Sequence, residues 1–297
     1  MLSIEENKAT VKALPPTETS PSIEERWLIV DGARMRYLHA GSGPALVLVH
    51  GLLGYSFSWR HVIPDLSRQA EIYAPDMPGV GFSDRPADLD CSLPACATRL
   101  LEFMDKAGIT SCDLLGSSHG GAVAMLAAAM APNRVRRLIL VSPVNPWSMY
   151  RRHWIKFLRS PLIASVFLNL VPHLKILHEL YLRRLYGDTR RIRPGTLEGY
   201  SAPLRRRPGS IDYGLRVLRS WERDLRELES ALPHMANIPT LLIWGSLDAA
   251  VDPASAARLQ QQFRNCRLLM LKGVGHLPYE EVPAEFSRAV AEFLRAR

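Results

Sequence analysis

At 297 residues, with 47% hydrophobic and 22% charged residues, the chain has the size and composition of a globular protein with one large catalytic domain. Its net charge of +8 is concentrated in one stretch, since residues 147–230 carry 17 Lys/Arg against 8 Asp/Glu. No nucleic-acid-binding signature accompanies that charge, and no apolar run reaches the roughly 20 residues of a membrane span. We therefore expect no nucleic-acid partner, no transmembrane segment and a solvated, arginine-rich surface.

The first residues are polar and contain several prolines, and we expect residues 1–25 to form a mobile arm. They lack the basic start and apolar core of a signal peptide, which favours a cytoplasmic location. The four cysteines show no metal-ligand spacing, so no metal site is predicted. Cys91 and Cys96 could pair, but a reduced pair is the better expectation without an export signal.

Strand and helix patterns alternate along the chain. The Asp31–Gly32 turn predicts a hairpin, and continuous apolar runs such as Ala45–Val49 are typical of strands buried on both faces. Such repeated strand–helix units indicate an α/β fold with a mostly parallel central sheet flanked by helices. The predicted strands are 27–30, 35–39, 45–49, 71–74, 112–115, 137–141, 240–244 and 267–271, and the predicted helices are 59–68, 93–107, 121–130, 253–263 and 283–295.

The pentapeptide 116–120, Gly-Ser-Ser-His-Gly, has the pattern G-x-S-x-G between an apolar run and a small-residue helical run. In that context it predicts a sharp strand-to-helix turn that holds Ser118 in a strained conformation with its hydroxyl exposed. Gly116 and Gly120 let the strand and the helix approach closely, because neither has a Cβ. Ser118 is therefore a candidate nucleophile.

A second loop, His50–Gly51, ends the predicted strand 45–49. Function in parallel sheets lies in the loops beyond the carboxyl ends of the strands. The backbone N–H of Leu52 would face the same space as Ser118 and, with the N–H of His119, could stabilise an oxyanion. The alternative is that His50–Gly51 is only a tight turn.

Two further loops supply an acid and a base. Asp248 and Asp252 both follow strand 240–244, and either could orient a histidine. Asp252 precedes a proline and a helical run and is better explained as a helix cap, which leaves Asp248 as the orienting acid. His276 lies between the last strand and the last helix, and the order Ser118, Asp248, His276 is the nucleophile–acid–base order of one particular fold.

From about Trp27 onward the chain resembles the α/β-hydrolase superfamily. The resemblance implies Ser118 as nucleophile, His276 as general base, Asp248 as orienting acid, and the amides of Leu52 and His119 as the oxyanion hole, without a cofactor. Ser118 stands where relatives that open epoxides or displace halide carry an aspartate, which argues against both reactions. The motifs that carry the resemblance are His50–Gly51, Asp76-x-x-Gly79-x-Gly81-x-Ser83, Gly116-x-Ser118-x-Gly120-Gly121, Gly245-x-x-Asp248 and Gly275–His276.

Residues 146–234 lie where such hydrolases carry a helical cap, inserted between core segments 26–145 and 235–297. Their first half is apolar and is broken at Pro161 and Pro172. These residues would roof an apolar pocket or pack onto the core, and contact of 161–174 with a lipid interface is a weaker alternative. Residues 205–207, three arginines, are expected to form a solvated loop, with anion binding as the alternative.

The expected activity is hydrolysis of small to medium, largely apolar carboxylic esters through an acyl-enzyme. The expected partner is accordingly a small-molecule ester. Cleavage of a carbon–carbon bond in a diketone-like substrate is an alternative, because relatives with this same triad perform it. A ligand receptor with a vestigial hydrolase site is a third hypothesis, from another functional class.

Overall fold

Eight strands form one sheet in the order β1-β2-β4-β3-β5-β6-β7-β8 in the computed structural model, which describes residues 22–148, 175–206 and 210–296. β2 pairs antiparallel with β1 and β4, and every other pair is parallel. The predicted α/β class is confirmed. The strands are β1 Glu24–Val30, β2 Ala33–Ala40, β3 Ala45–Val49, β4 Glu71–Pro75, β5 Cys112–Ser117, β6 Val135–Val141, β7 Thr240–Gly245 and β8 Cys266–Leu271.

Helices cover both faces of this sheet. They are α1 Ile63–Leu66, α2 Leu93–Lys106, α3 His119–Met130, α4 Lys175–Leu185, α5 Thr196–Arg206, α6 Ser210–Met235, α7 Ser255–Gln260, α8 Pro278–Glu281 and α9 Pro283–Arg295. Within the described ranges, no helix is both long enough and apolar enough to cross a membrane. All four cysteines are free thiols, so Cys91 and Cys96 do not pair.

The core divides at the sheet into two apolar clusters. In β3, Val47 and Val49 face a cluster that includes side chains of α2, α3 and α6. Leu46 and Leu48 face the opposite cluster, which includes side chains of α1 and α9. This period of two places every β3 side chain against a helical layer, which explains its unbroken apolar sequence.

The predicted helix 59–68 is shortened to the four residues of α1. A 3-10 turn, Ser56–Trp59, is followed by the single turn of α1, in which Pro64 occupies a first-turn position. Proline has no N–H and is favoured in the first turn of a helix, where that N–H would have no partner, so Pro64 is compatible with a helix that begins at Ile63. The predicted helix 253–263 is shortened to α7.

Two other boundaries differ from the prediction. β1 begins at Glu24 rather than Trp27, because Glu24 and Glu25 pair with β2 although they are not apolar. Arg205 and Arg206 end helix α5 instead of forming a loop. Residues 1–21 of the expected arm, residues 149–174 of the insert and Arg207 lie outside the described residues.

Helix α5 contacts the core through a glycine. The Tyr55 hydroxyl donates a hydrogen bond to the Gly199 carbonyl at 2.7 Å, and a Cβ on Gly199 would overlap the ring of Phe57. Helix α6 packs on α3 with an apolar stripe that includes Leu225, Leu228 and Leu232. Helices α5 and α6 are therefore both closely packed onto the sheet core.

We expect Gly120→Ala to lower the free energy of unfolding by about 3 kcal/mol, since overpacking against backbone has no easy relief. A Cβ there would overlap the carbonyl groups of Val49 and His50. Gly214→Ala in α6 is the matched control, because its nearest neighbour is the flexible end of Leu53 at 3.1 Å. Helix propensity favours alanine there by up to about 1 kcal/mol. Urea denaturation measures the free energy of unfolding of each variant. Equal stabilities of Gly120→Ala and Gly214→Ala would show that the close backbone contact at Gly120 is not the cause.

Candidate active site

Ser118 forms a strained turn between β5 and α3. Its backbone has φ 53° and ψ −122°, a conformation that costs a non-glycine residue roughly 1–3 kcal/mol. Its amide donates to the Val141 carbonyl at 2.9 Å, and its carbonyl accepts from the Gly121 amide at 3.0 Å. The strain is thus held from β6 on one side and from α3 on the other.

Asp248 and His276, which the sequence predicts as acid and base, are brought together. His276 Nδ1 lies 2.8 Å from Asp248 Oδ2, and both residues are buried, at 4% and 5% exposure. The other carboxylate oxygen accepts from the amides of Ala250 and Val251 at 2.8 and 2.9 Å. Burial alone raises the pKa of Asp248, but His276 and the two amides outweigh burial and lower it. Asp248 is therefore a carboxylate at neutral pH.

Asp252, the rejected alternative, has a different role. Its Oδ1 accepts from the Ala254 amide at 2.9 Å, and its carbonyl accepts from the Ser255 amide at 3.0 Å. These are the bonds of a residue that starts a helix, here the turn leading into α7. No hydrogen bond joins Asp252 to His276 among the described residues.

The His50–Gly51 turn lies directly against Ser118. A Cβ on Gly51 would lie 3.1 Å from Ser118 Cβ and 3.8 Å from Ser118 Oγ. The turn closes through a bond from the Gly54 amide to the Gly51 carbonyl at 3.0 Å. Leu53 adopts φ 60°, which is unusual for a leucine, so the turn has a specific, enforced shape. The amide of Leu52 sits within this turn.

The His50 side chain links this turn to the Asp76–Ser83 segment. Its Nε2 accepts from the Met77 amide at 3.0 Å, so the proton lies on Nδ1, which donates to the Gly51 carbonyl at 2.9 Å. Burial lowers the pKa of His50 and keeps it neutral. Asp76, fully buried, accepts from the amides of Ser56 and Phe82 at 2.8 and 3.0 Å. The Asp76–Ser83 segment thereby holds the backbone that donates to His50.

His119, whose amide is the second predicted oxyanion donor, is the first residue of α3. The first N–H groups of a helix have no partner within the helix and point outward from its start. The His119 ring is buried and stacks on Trp221 of α6, with centroids 6.5 Å apart and planes at 22°. Burial lowers the pKa of His119 to about 4, so its imidazole is neutral at neutral pH.

Sequence reasoning missed several residues around this edge of the sheet. The helical spacing of Trp221 is the same as that of a core residue, so the sequence gives no sign that its ring contacts His119. Tyr279 accepts a hydrogen bond from Ser117 Oγ at 3.3 Å, and Glu280 and Glu281 are buried beside it. The signal that could have revealed the two glutamates is an acidic pair inside an otherwise apolar segment directly after His276. Among the described residues, no group of three or more His, Cys, Asp or Glu side chains is arranged to hold a metal ion.

The buried imidazole of His119 predicts a loss of stability in acid. The unfolded chain takes up a proton near pH 6.5 and the folded chain only near pH 4, so the free energy of unfolding falls as the pH drops through that window. The full loss from this group is about 3 kcal/mol. We expect His119→Gln to lose less stability than wild type between pH 7 and pH 4.5, as measured by urea denaturation. His234 is exposed, so His234→Gln is the control and should lose as much stability as wild type over this pH range. Equal losses of stability in wild type and His119→Gln would show that His119 is not the group responsible.

Comparison with known proteins gives the family. A family model described as the alpha/beta hydrolase fold matches residues 44–283. The chain is 30% identical to 2-hydroxymuconate semialdehyde hydrolase of Pseudomonas sp. (strain CF600) over 93% of this chain and 95% of that one. It is 28% identical to pimeloyl-[acyl-carrier protein] methyl ester esterase of Aeromonas hydrophila subsp. hydrophila, over 86% of this chain and 96% of that one.

A solved structure shows the same fold. The chain superposes on 2-hydroxy-6-oxo-6-phenylhexa-2,4-dienoate hydrolase from Rhodococcus sp. strain RHA1 with a TM-score of 0.78, at 23% identity, covering 93% of this chain and 100% of the other. The family match spans far more than half of the 297 residues. The chain therefore belongs to the α/β-hydrolase family, and it is a hydrolase of that fold.

Proposed function

We propose that the protein is a serine hydrolase that cleaves carboxylic esters of small to medium, largely apolar acyl groups. The observation that carries the proposal is the buried Asp248–His276 pair at the same sheet edge as the strained Ser118. Ser118, Asp248 and His276 follow the carboxyl ends of the parallel strands β5, β7 and β8, so all three lie at the same edge of the sheet.

The mechanism has two steps. In the first, the Ser118 hydroxyl attacks the ester carbonyl and gives its proton to His276, while Asp248 stabilises the resulting imidazolium through Nδ1–H. Negative charge on the carbonyl oxygen is stabilised by the amides of Leu52 and His119, and the alcohol leaves with the proton from His276. In the second step, water deprotonated by His276 attacks the acyl-enzyme and releases the acid and Ser118.

The uncharged surroundings of Ser118 support an uncharged acyl group. His119 is neutral because its pKa lies at about 4, and it stacks on the apolar ring of Trp221. Arg60 is paired with Glu280 at 2.8 Å and is not free to bind a substrate carboxylate. The methyl ester esterase among the relatives also favours an ester. We further propose that residues 146–234 form a cap over this site, because α6 brings Trp221 onto His119.

Hydrolysis of a carbon–carbon bond in a diketone-like substrate is the second candidate. It is favoured by the 30% identical relative named as a 2-hydroxymuconate semialdehyde hydrolase. Such chemistry would use the same serine, acid and base, so the site geometry alone does not separate the two. Turnover of a vinylogous diketone without turnover of esters would favour the carbon–carbon hydrolase.

The third hypothesis is a ligand receptor with a vestigial hydrolase site. Tight ligand binding with a large thermal shift and near-zero turnover would favour it.

We expect Ser118→Ala to reduce kcat on p-nitrophenyl esters by at least about 10³-fold, because no other group can form the acyl-enzyme. Ser117→Ala is the matched control, since it removes an adjacent buried hydroxyl whose one hydrogen bond among the described residues is to Tyr279. Its kcat should stay within about 3-fold of wild type, because a buried hydroxyl bound to Tyr279 makes no contact specific to the transition state. An acyl-chain series from acetate to decanoate measures chain preference. Wild-type activity in Ser118→Ala would show that the nucleophile is another residue.

Replacing the two loop aspartates separates the orienting acid from the helix cap. We expect Asp248→Asn to lower kcat by roughly 10³–10⁴-fold, because the neutral amide favours the wrong tautomer of His276. Asp252→Asn should retain near-wild-type kcat, since asparagine also caps helices well. Steady-state kinetics on the best ester of the series decides between them. Comparable losses in both variants would overturn the assignment of Asp248.

A further inference from the structure

The loop that carries His276 is wedged against the end of helix α4. The His276 amide donates to the Leu185 carbonyl at 2.7 Å. A Cβ on Gly187 would lie 2.7 Å from the Gly275 amide nitrogen, and a Cβ on Gly245 would lie 2.7 Å from the Val274 carbonyl carbon. Three backbone segments thus meet here without space for a side chain: the end of β7, the His276 loop and the turn after α4.

Glu281 ties two of these segments together. Its Oε1 accepts from the Gly275 amide at 2.6 Å and from the Gly187 amide at 3.0 Å. Its Oε2 accepts from the Asp188 amide at 3.2 Å and lies 3.4 Å from Arg191 Nη1. One carboxylate therefore joins the residue that precedes His276 to the turn that follows α4.

This carboxylate is buried, with its side chain 0% exposed. A buried charge is tolerated only where hydrogen-bond donors replace its water shell. Here the donors come from the His276 loop and from the turn after α4, which together we call the junction. Both oxygens accept two hydrogen bonds each, so the site requires four acceptor positions. A glutamine would offer one oxygen and one NH₂ group, and either orientation would set two donors against the NH₂.

The neighbouring Glu280 is equally buried, at 1% exposure, but has different partners. Its side chain binds other side chains, with Arg60 Nη2 at 2.8 Å, the Tyr200 hydroxyl at 2.8 Å and the Tyr186 hydroxyl at 3.4 Å. It accepts no backbone amide of the His276 loop among the described residues. Glu280 thus shares the sequence context, burial and charge of Glu281 without the link to His276.

We propose that Glu281 is a positioning residue for the reaction: it holds the His276 loop against the turn after α4 and so fixes the direction in which His276 faces Ser118. The link also makes the orientation of His276 depend on the position of residues 185–191, which belong to the insert. The proposal rests on the proposed serine-hydrolase function, with Glu281 acting through His276 and not on the substrate.

The test compares Glu281→Gln with Glu280→Gln in the full-length protein. Steady-state kinetics on the best p-nitrophenyl ester should show a fall in kcat of about 10–100-fold for Glu281→Gln, with KM within about 3-fold, because a misplaced base affects the chemical step more than binding. Glu280→Gln should keep kcat within about 3-fold of wild type, since its bonds do not reach the His276 loop. Equal kcat in wild type and Glu281→Gln would overturn the proposal.

A spectroscopic measurement separates this proposal from the proposed function. The proton between His276 Nδ1 and Asp248 is observable as a low-field ¹H resonance, identified by its loss in His276→Ala. We expect Glu281→Gln to shift or broaden it and Glu280→Gln to leave it in place. This comparison needs no substrate, so it stands even if wild type hydrolyses no ester, which would refute the ester function alone. An unchanged resonance in Glu281→Gln would overturn the positioning role.

A milder variant covers the case in which Glu281→Gln does not fold. Arg191 is about one-third exposed, and its Nη1 contacts Glu281 and the Gly273 carbonyl at 3.4 and 3.2 Å. Arg191→Met removes one donor of the junction and keeps the buried carboxylate bound to its amides. A smaller fall in kcat, about 3–10-fold, with the same perturbed resonance is expected. Wild-type kcat together with a wild-type resonance in this variant would overturn the proposal.

Discussion

The close approach of backbone segments at the carboxyl edge of the sheet is the constraint on which the rest of the structure depends. Gly120 lies against the end of β3, Gly51 against Ser118, and Gly245 against the loop that carries His276. A Cβ at Gly120 or Gly245 would overlap backbone that cannot move independently of the strands. The spacing between Ser118, the His50–Gly51 turn and His276 is consequently set by the sheet rather than by flexible side chains.

Buried carboxylates then fix the loops that the glycines allow to meet. Asp76, Asp248 and Glu281 are all buried, and each accepts backbone amides from the loop that it holds. A charge inside a protein is stable only if its partners remain in place, so each carboxylate penalises movement of its own loop. Movement of any of these loops would leave a buried carboxylate without its hydrogen-bond donors, so the loops are held rigidly where the proposed chemistry requires fixed geometry.

Helices between residues 175 and 235 contact this edge of the sheet at several points. Gly199 packs on Phe57, Trp221 stacks on His119, and Leu185 accepts the His276 amide. The described helices between residues 175 and 235 therefore contact both the start of α3, at His119, and the loop that carries His276. If the proposed cap moves, both would move with it, which would link substrate access to the alignment of the proposed reacting groups.

The sequence by itself determined the sheet, its strand–helix alternation and the Ser118 turn, and it predicted Asp248 rather than Asp252 as the partner of His276, which is the contact seen in the structure. These follow from local rules: apolar period, glycine at close contacts and the capping preference of an aspartate before a proline. It overestimated the helix 59–68, of which only Ile63–Leu66 is an α-helix, with Pro64 in its first turn. It could not find Glu281 or Trp221, because their partners lie far away in the chain. Only the tertiary structure decided which distant amides meet a buried carboxylate and which ring meets His119, since desolvation depends on neighbours that a linear sequence does not specify.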